Sequence, residues 1–261
     1  IDKNGEIWLL THFEFGKYDP IAKQFDGHNY IEISKGEKEM GHNIPQIYQQ
    51  NEHVFWLATS NGLLKYETKQ ERFSCYFSNK ENPNGLSHSN VKCILPDPSY
   101  PDSILWLGTG GGGLNKFDIK SGEFTFFKKE NGLPDNVIYA ILDDEYGNFW
   151  MSTNQGLSRF SPATNTFKNY TAENGLQDNE FNSGAYFKGK DGRLFFGGIG
   201  GFNVFQPVVV RDDLYKPNIV ITDFKLANQS VDFKAEDVPL RGDISQMEEL
   251  ILSWKDNIFS F

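Results

Sequence analysis

The sequence has few of the residue types that build metal sites or membrane spans. It has two cysteines, Cys75 and Cys93, and their spacing matches no metal motif. Apolar residues alternate around Cys93, which predicts a buried free thiol. The five histidines show no ligand spacing, and no run of about eighteen apolar residues occurs. We therefore expect no metal ion, no cofactor and no membrane-spanning segment within these residues.

Basic residues are also scarce. Lysine and arginine number 25 against 35 aspartates and glutamates, so the net charge is -10. A nucleic-acid surface needs concentrated positive charge, so this balance argues against such a partner. No helical apolar period persists, whereas phenylalanine (23) and glycine (25) are abundant. Many aromatic residues and many glycines favour short strands joined by tight turns over long helices.

One segment sets the pattern for the whole chain. Residues 144–160 indicate a turn at Gly147, a strand through Trp150, a second turn that ends at Gly156 and a strand to Phe160. Gly147 suits the first turn because glycine adopts a positive φ without steric cost. A bulky aromatic residue recurs at steps of 44 to 50 residues: Trp8, Trp56, Trp106, Trp150 and Phe195. Repeats of this length with period-two alternation are typical of four-stranded propeller blades.

The repeats predict an all-β chain of about five four-stranded antiparallel β-propeller blades over residues 1–210. The first repeat is the least regular, because residues 14–16 stand where a glycine turn is expected and residues 27–41 indicate a charged loop. The last repeat lacks an outer-strand motif. Residues 211–261 then predict a linker and the first strands of a β-sandwich. Such a small sheet exposes an apolar face, so we expect it to lean on the propeller, on a second copy or on residues outside this chain.

Three motifs resemble one family. The pattern Asn-Gly-Leu, then Asp-x-x-Gly-x-x-Trp-x-x-Thr-x-x-Gly-Leu, is similar to the two-component regulator propeller repeat, and residues 131–160 match it best. Residues 175–207 resemble the final blade of that family. Residues 250–261 resemble the start of the Ig-like domain with three marker tyrosines that follows the propeller.

This resemblance implies the extracytoplasmic sensor region of a hybrid two-component regulator. In such proteins two seven-bladed propellers precede the Ig-like domain, a membrane helix, a histidine kinase, a receiver and often a DNA-binding module. The five repeats would then be the C-terminal part of the second seven-bladed ring. The resemblance also implies a periplasmic location, anchoring of the whole protein in the inner membrane, a homodimer formed through the Ig-like region, and an oligosaccharide ligand.

The candidate ligand contacts lie in the turns that lead into the innermost strand of each blade, because these loops commonly ring one face of a propeller near its axis. Asparagine and aspartate suit sugar hydroxyls, and aromatic rings stack on sugars. The same polar residues also favour turns for a structural reason, since they bond their own backbone. The candidates are His88, Asn90, Asp135, Asn136, Tyr139, Asp178, Asn179, Phe181 and Asn182.

Other interpretations stay open at this point. Loops that do not repeat are favoured places for binding, which points to residues 13–28 and residues 99–103. A polysaccharide hydrolase or lyase needs two carboxylates at a fixed separation, but most acidic residues here occupy repeated turn positions, which favours a structural role. A third possibility is a scaffold that grips another protein through an exposed apolar patch. No residue is therefore assigned a catalytic role.

Overall fold

The computed structural model describes residues 5–11, 14–29, 43–79, 81–210, 220–232, 239, 242–247 and 249–261. Predictions that fall on Phe13, on two of the histidines (His12 and His42) and on the linker after residue 210 lie outside the described residues, as does most of the charged loop expected at residues 27–41. The chain divides into two compact units, Ile1–Val210 and Arg211–Phe261.

The first unit is built from antiparallel sheets. Its described residues form five sheets, each a meander in which strands that follow in sequence are neighbours in the sheet, and we number these sheets as blades 1 to 5. Blade 1 contains Ile7–Leu10 (β1), Glu14–Asp19 (β2) and Gln24–Asn29 (β3); blade 2 contains Gln46–Asn51 (β4), Val54–Thr59 (β5), Gly62–Glu67 (β6) and Arg72–Tyr76 (β7); blade 3 contains Val91–Pro96 (β8), Ile104–Thr109 (β9), Leu114–Asp118 (β10) and Phe124–Phe127 (β11); blade 4 contains Ile138–Asp143 (β12), Phe149–Thr153 (β13), Gly156–Ser161 (β14) and Thr166–Tyr170 (β15); blade 5 contains Phe181–Lys188 (β16), Leu194–Gly198 (β17) and Gly201–Phe205 (β18). The prediction of all-β, four-stranded antiparallel blades is confirmed for blades 2 to 4, and blades 1 and 5 have three strands in the described residues.

Two of the three Asn-Gly-Leu motifs begin at the last residue of a short 3-10 helix that precedes the next blade. Asn131 ends a short 3-10 helix, and its side-chain oxygen accepts a hydrogen bond from the backbone N–H of Lys128 at 2.8 Å. Gly132 follows with a φ of 111°, a left-handed conformation that favours glycine. The described residues contain four such helices: Lys129–Asn131, Ala172–Asn174, Pro207–Val209 and Ile244–Gln246.

The second unit carries a small sheet of Lys225–Leu226 (β19), Gln229–Ser230 (β20) and Phe259–Ser260 (β21), with β19 in the centre. Phe224 is buried, and its ring centroid lies 5.5 Å from that of Phe261. Ile251 and Trp254 are 71% and 84% exposed, so this unit presents the apolar surface that a small sheet is expected to leave open. Its assignment to an Ig-like domain stays a prediction.

Blade 1 differs from its sequence prediction. Residues 14–16 do not form a turn but begin β2, and much of the expected non-repeating loop at residues 13–28 is a hairpin of two paired strands. Gly16 pairs with Gly27 in this hairpin, and a Cβ atom on Gly16 would collide with the carbonyl oxygen of Asp26. The glycines here serve the close approach of two strands rather than a reversal of the chain, and that distinction is invisible in the sequence.

The recurring tryptophans occupy one position of the repeat. Each lies opposite a lysine or arginine of the following strand, in the pairs Trp8–Lys17, Trp56–Lys65, Trp106–Lys116 and Trp150–Arg159. Trp56, Trp106 and Trp150 are at most 2% exposed. Phe195 holds the same position opposite Val204 but is only partly buried, because the described residues contain no blade after blade 5 to cover it.

A polar side chain from the preceding strand or turn binds the indole N–H of each buried tryptophan. Trp106 Nε1 donates to Asp97 Oδ2 at 2.8 Å, and Trp150 Nε1 donates to Asp144 Oδ2 at 3.0 Å. In blade 2, Gln50 takes the place of the aspartate and accepts from Trp56 at 2.8 Å. The aspartates of these turns are therefore structural, since they satisfy buried donors.

The core lies between blades rather than inside each one. Trp106 packs edge-on against Phe149 of blade 4 at 5.1 Å, and Trp150 packs against Phe205 of blade 5 at 4.8 Å. Each of the four apolar clusters of described residues joins two neighbouring blades. Burial of one indole contributes about 4–6 kcal/mol, so the same residues that complete a blade also hold it to the next.

Trp106→Ala is expected to lower the free energy of unfolding by about 3–5 kcal/mol, because a cavity opens between blades 3 and 4 and Asp97 loses its indole donor. Trp254→Ala is the matched control, since this exposed indole should contribute less than about 0.5 kcal/mol. Urea unfolding followed by circular dichroism measures both variants. Equal losses would contradict the role of Trp106 between blades.

Cys93 should stay unreactive in the folded chain. The thiol is 1% exposed, and burial raises its pKa to about 12, whereas Cys75 is only half-buried. Since the thiolate is the reactive form, a thiol reagent near pH 8 should label Cys75 first and Cys93 after unfolding. A Cys75→Ser variant should react in denaturant and not in native buffer, and native labelling of that variant would refute the prediction.

Candidate functional site

The loops that lead into the innermost strands β8, β12 and β16 lie at one end of the blades, which we call the upper face. The turns between the second and third strands lie at the same end, because each blade is an antiparallel meander. These two sets of loops are joined from blade to blade: the N–H of Gly113 donates to the carbonyl oxygen of Asn136 at 2.8 Å, and the N–H of Gly156 donates to that of Asn179 at 2.7 Å. Each incoming loop is thus tied to the blade before it.

Asn136 and Asn179 hold their own loops as well. Asn136 Oδ1 accepts from the backbone N–H of Lys129 at 2.9 Å, and Asn179 Oδ1 accepts from that of Ala172 at 2.8 Å. The two residues make the same contacts in consecutive blades. Their side-chain oxygens therefore stabilise the loop, and this structural role accounts for asparagine at both positions without a ligand.

Three further predicted contacts turn towards their own backbone. The Oδ1 atoms of Asp135 and Asp178 and the Nδ1 atom of His88 each accept from the N–H two residues ahead, at 2.8, 3.3 and 3.2 Å. Asn90 lies at the end of the His88 loop, and its carbonyl oxygen accepts from the N–H of Gly110 at 2.8 Å. These residues shape the upper face, and their remaining polar atoms line it.

Phe181 and Asn182 have opposite surroundings. Phe181 is 3% exposed and packs in the cluster between blades 4 and 5, so it has no free ring face for a sugar and its predicted stacking role is wrong. The reason is its position as the first residue of β16, where the side chain points into the core. Asn182, the next residue, is exposed.

The innermost strands share a β-bulge near their upper ends. Lys92 in β8 and Tyr139 in β12 each fall between two paired residues and have no opposite residue of their own. In β16 the irregularity is larger, since residues 182–185 together face Gly197. Bulges redirect side chains and are common beside binding sites. This shared feature brings Lys92, Tyr139 and Asn182 to equivalent places in three consecutive blades.

Tyr139 is the centre of a polar cluster on this face. Its hydroxyl donates to Asn154 Oδ1 at 2.6 Å, and Asn154 Nδ2 donates in turn to Asp135 Oδ1 at 3.4 Å. The ammonium group of Lys92 lies over the Tyr139 ring, 5.0 Å from its centroid. We call Lys92, Asp135, Tyr139 and Asn154 the Tyr139 cluster. It draws on blades 3 and 4, and the sequence analysis missed Lys92 and Asn154 because neither lies in a loop that leads into an innermost strand.

The electrostatics of the cluster keep Tyr139 protonated. Partial burial raises the pKa of its hydroxyl, and the carboxylates of Asp135 and Glu180 raise that pKa further. The group therefore stays a neutral donor and acceptor at physiological pH. Because its one O–H donates to Asn154, the Tyr139 hydroxyl offers a polar ligand an acceptor, while the Lys92 ammonium group offers donors.

Residues 99–103 lie at the opposite end of the blades, which we call the lower face. They connect β8 to β9 and border a cleft of about 700 Å³ that is lined by residues of blades 3 and 4.

Across the described ranges, no group of three histidine, cysteine, aspartate or glutamate residues is placed to hold a metal ion. The same part of the chain contains no helix that is long and apolar enough to cross a membrane.

Asn136→Ala should lower the free energy of unfolding by about 1 kcal/mol, because the N–H of Lys129 loses its acceptor. Asn136→Asp is the matched control, since it keeps an oxygen at the same place and its free energy of unfolding should fall by less. Chemical denaturation of both variants tests this role, and an alanine variant as stable as the parent chain would contradict it.

Comparison with known proteins agrees with this architecture. Residues 132–155 match the family model described as two component regulator propeller. Histidine kinase P4 of Formosa agariphila is 27% identical, in an alignment that covers 81% of this chain and 19% of the kinase. The chain therefore spans about a fifth of the length of that relative.

Solved structures show the same fold. The extracellular domain of a hybrid two component system from B. thetaiotaomicron is 25% identical, with a TM-score of 0.66 over 79% of this chain and 28% of that one. The extracellular domain of a one component system from the same organism is 17% identical, with a TM-score of 0.57 over 85% of this chain and 27% of that one, and this second likeness shows the fold alone. The chain thus contains a two-component regulator propeller repeat within a set of propeller blades, as the sequence motifs predicted.

Proposed function

We propose that this chain is part of the extracytoplasmic sensor region of a hybrid two-component system, and that it recognises an oligosaccharide on its upper face. The likeness to a histidine kinase and to the extracellular domain of a hybrid two component system supports the first part. The whole protein would lie in the inner membrane with this region in the periplasm. The unit Arg211–Phe261 would contribute to a homodimer and pass the signal towards a kinase outside this chain.

The observation that carries the ligand proposal is the Tyr139 cluster. A phenol ring presents an apolar face and a polar edge, which is the combination that a sugar ring and its hydroxyls require. Asn154 and Asp135 hold the phenol hydroxyl in place, so little conformational entropy is lost when a ligand binds. Asn182 adds an exposed amide from the equivalent bulge of blade 5.

Binding alone does not make a sensor. A ligand shifts an equilibrium between two arrangements only when it binds them with different affinity. The Tyr139 cluster combines residues of two blades, so its geometry depends on how blades 3 and 4 pack. A ligand held by Lys92 and Tyr139 together would favour one packing, and this preference is the free energy available for signalling.

A thermal-shift screen of the purified chain against glycan fragments tests the proposal. At about a hundredfold excess over its Kd, a ligand adds about 2.7 kcal/mol to the free energy of unfolding and should raise Tm by roughly 5–10 °C. We expect one class of oligosaccharide to produce this shift.

Two variants assign the shift to the upper face. Tyr139→Ala should remove it, because the ring and the hydroxyl are both lost. Phe187→Ala is the control, since this side chain is 63% exposed and lies further along β16. A screen in which no glycan changes Tm, or a shift that survives in Tyr139→Ala, would refute oligosaccharide binding at this cluster.

A further inference from the structure

The lower-face cleft has the dimensions of a ligand site. Its volume of about 700 Å³ falls within the range of small-molecule sites in proteins. Blade 3 supplies the floor through Trp106 and Lys116, and the connections β8–β9 and β12–β13 supply two of its walls. It lies at the opposite end of the blades from the Tyr139 cluster and shares no residue with it.

Two exposed tyrosines border this cleft from neighbouring blades. Tyr100 is 62% exposed and Tyr146 is 60% exposed. Their backbones are fixed: the N–H of Tyr100 donates to Asp97 Oδ1 at 3.0 Å, and the N–H of Tyr146 donates to Asp144 Oδ1 at 2.8 Å. The same aspartates bind the buried indoles. The two phenol rings are therefore held out to solvent by loops that are attached to the core.

The cleft floor carries an ammonium group that forms no close ion pair among the described residues. Lys116 Nζ lies 5.6 Å from the centroid of the Trp106 ring and forms no ion pair within 4 Å among the described residues. Asp97 is the one carboxylate among the lining residues, and both of its oxygens accept hydrogen bonds from the protein.

The equivalent lysine of blade 2 forms an ion pair that Lys116 does not form. Lys65 occupies the same register position over Trp56, but it pairs with Glu67 at 2.9 Å. In blade 3 the carboxylate two residues after the lysine is Asp118, and it accepts from the N–H groups of Lys120 and Ser121 instead. The hydrogen bond from Ser121 and, more weakly, the charge of Lys116 lower the pKa of Asp118, so these two side chains interact at a distance but form no ion pair within 4 Å.

From these contacts we propose that the lower-face cleft binds a uronic-acid residue of an oligosaccharide. The rings of Tyr100 and Tyr146 stack on the apolar faces of the sugar, and the Lys116 ammonium pairs with the sugar carboxylate. The hydroxyl groups of Ser99 and Ser161, which also line the cleft, are available to the sugar hydroxyls. This site stands independently of the upper-face proposal.

Isothermal titration calorimetry on the full chain tests the site with three probes: tetragalacturonate, tetramannuronate and tetraguluronate. At least one should bind, and its carboxyl-reduced neutral form should bind at least about tenfold more weakly, as should the acid form at high salt. A neutral form that binds as tightly as the acid, or no binding by any of the three uronates, would overturn the proposal.

Variants locate the binding. Lys116→Gln should weaken binding of the uronate at least about fivefold and leave binding of the neutral form unchanged. Tyr100→Ala combined with Tyr146→Ala should weaken binding of both forms at least about tenfold. Lys65→Gln and Phe202→Ala are matched controls that should bind like the parent chain, and circular dichroism checks that every variant is folded. If Tyr139→Ala abolishes uronate binding while the cleft variants retain it, the cleft proposal fails and the upper-face proposal stands.

Discussion

The structure depends on an indole that is held from two sides. In blades 3 and 4 the indole N–H donates to a buried aspartate of the preceding turn, and the ring packs against an aromatic residue of the next blade. The first contact fixes a turn to a strand, and the second fixes one blade to another. Burial provides most of the stabilising free energy, while the carboxylate selects the ring orientation, because a buried N–H without an acceptor is costly. The core of blade 5, which no further blade follows within the described residues, is less complete, as the partial exposure of Phe195 illustrates.

Repetition separates structural residues from candidate functional ones. Asn136 and Asn179 make identical contacts in consecutive blades, as do Asp97 and Asp144, and these contacts account for their side-chain oxygens. Binding must then come from departures from the repeat. Lys116 is such a departure because it forms no ion pair within 4 Å among the described residues, whereas Lys17 and Lys65 pair with Glu6 and Glu67. Tyr139 is another because the equivalent bulge positions of the neighbouring blades carry Lys92 and Asn182.

Most of the fold but little of the site could be predicted from the sequence, for a physical reason. Blades were predictable because each repeats a spacing of glycine turns and aromatic strands, and Trp56, Trp106 and Trp150 do share one environment. The site was less predictable because asparagine in a turn has the same sequence signal whether it binds a ligand or its own backbone. Phe181 was misjudged for a related reason. A shift of one residue in where β16 begins moves a side chain from the exposed side of the sheet to the core, and the sequence does not show where the strand begins. Lys92 becomes a neighbour of Tyr139 only when blades 3 and 4 pack, and Asn154 reaches Tyr139 through the pairing of β12 with β13 beside a bulge. No local sequence pattern encodes either contact.

Both candidate sites lie on the same pair of blades, at opposite ends. Tyr139 is near the upper end of β12 and Tyr146 is in the turn that follows this strand, so they are about 20 Å apart along an extended chain. A single sugar cannot contact both, so any coupling must pass through contacts within the protein, such as the packing between blades. Such a connection exists: Asp97 bonds the backbone of Tyr100 and the indole of Trp106, and that indole packs against Phe149 of blade 4. A ligand that displaces Tyr100 would therefore act on the interface on which the Tyr139 cluster depends, and by reciprocity a ligand at that cluster would act on the cleft.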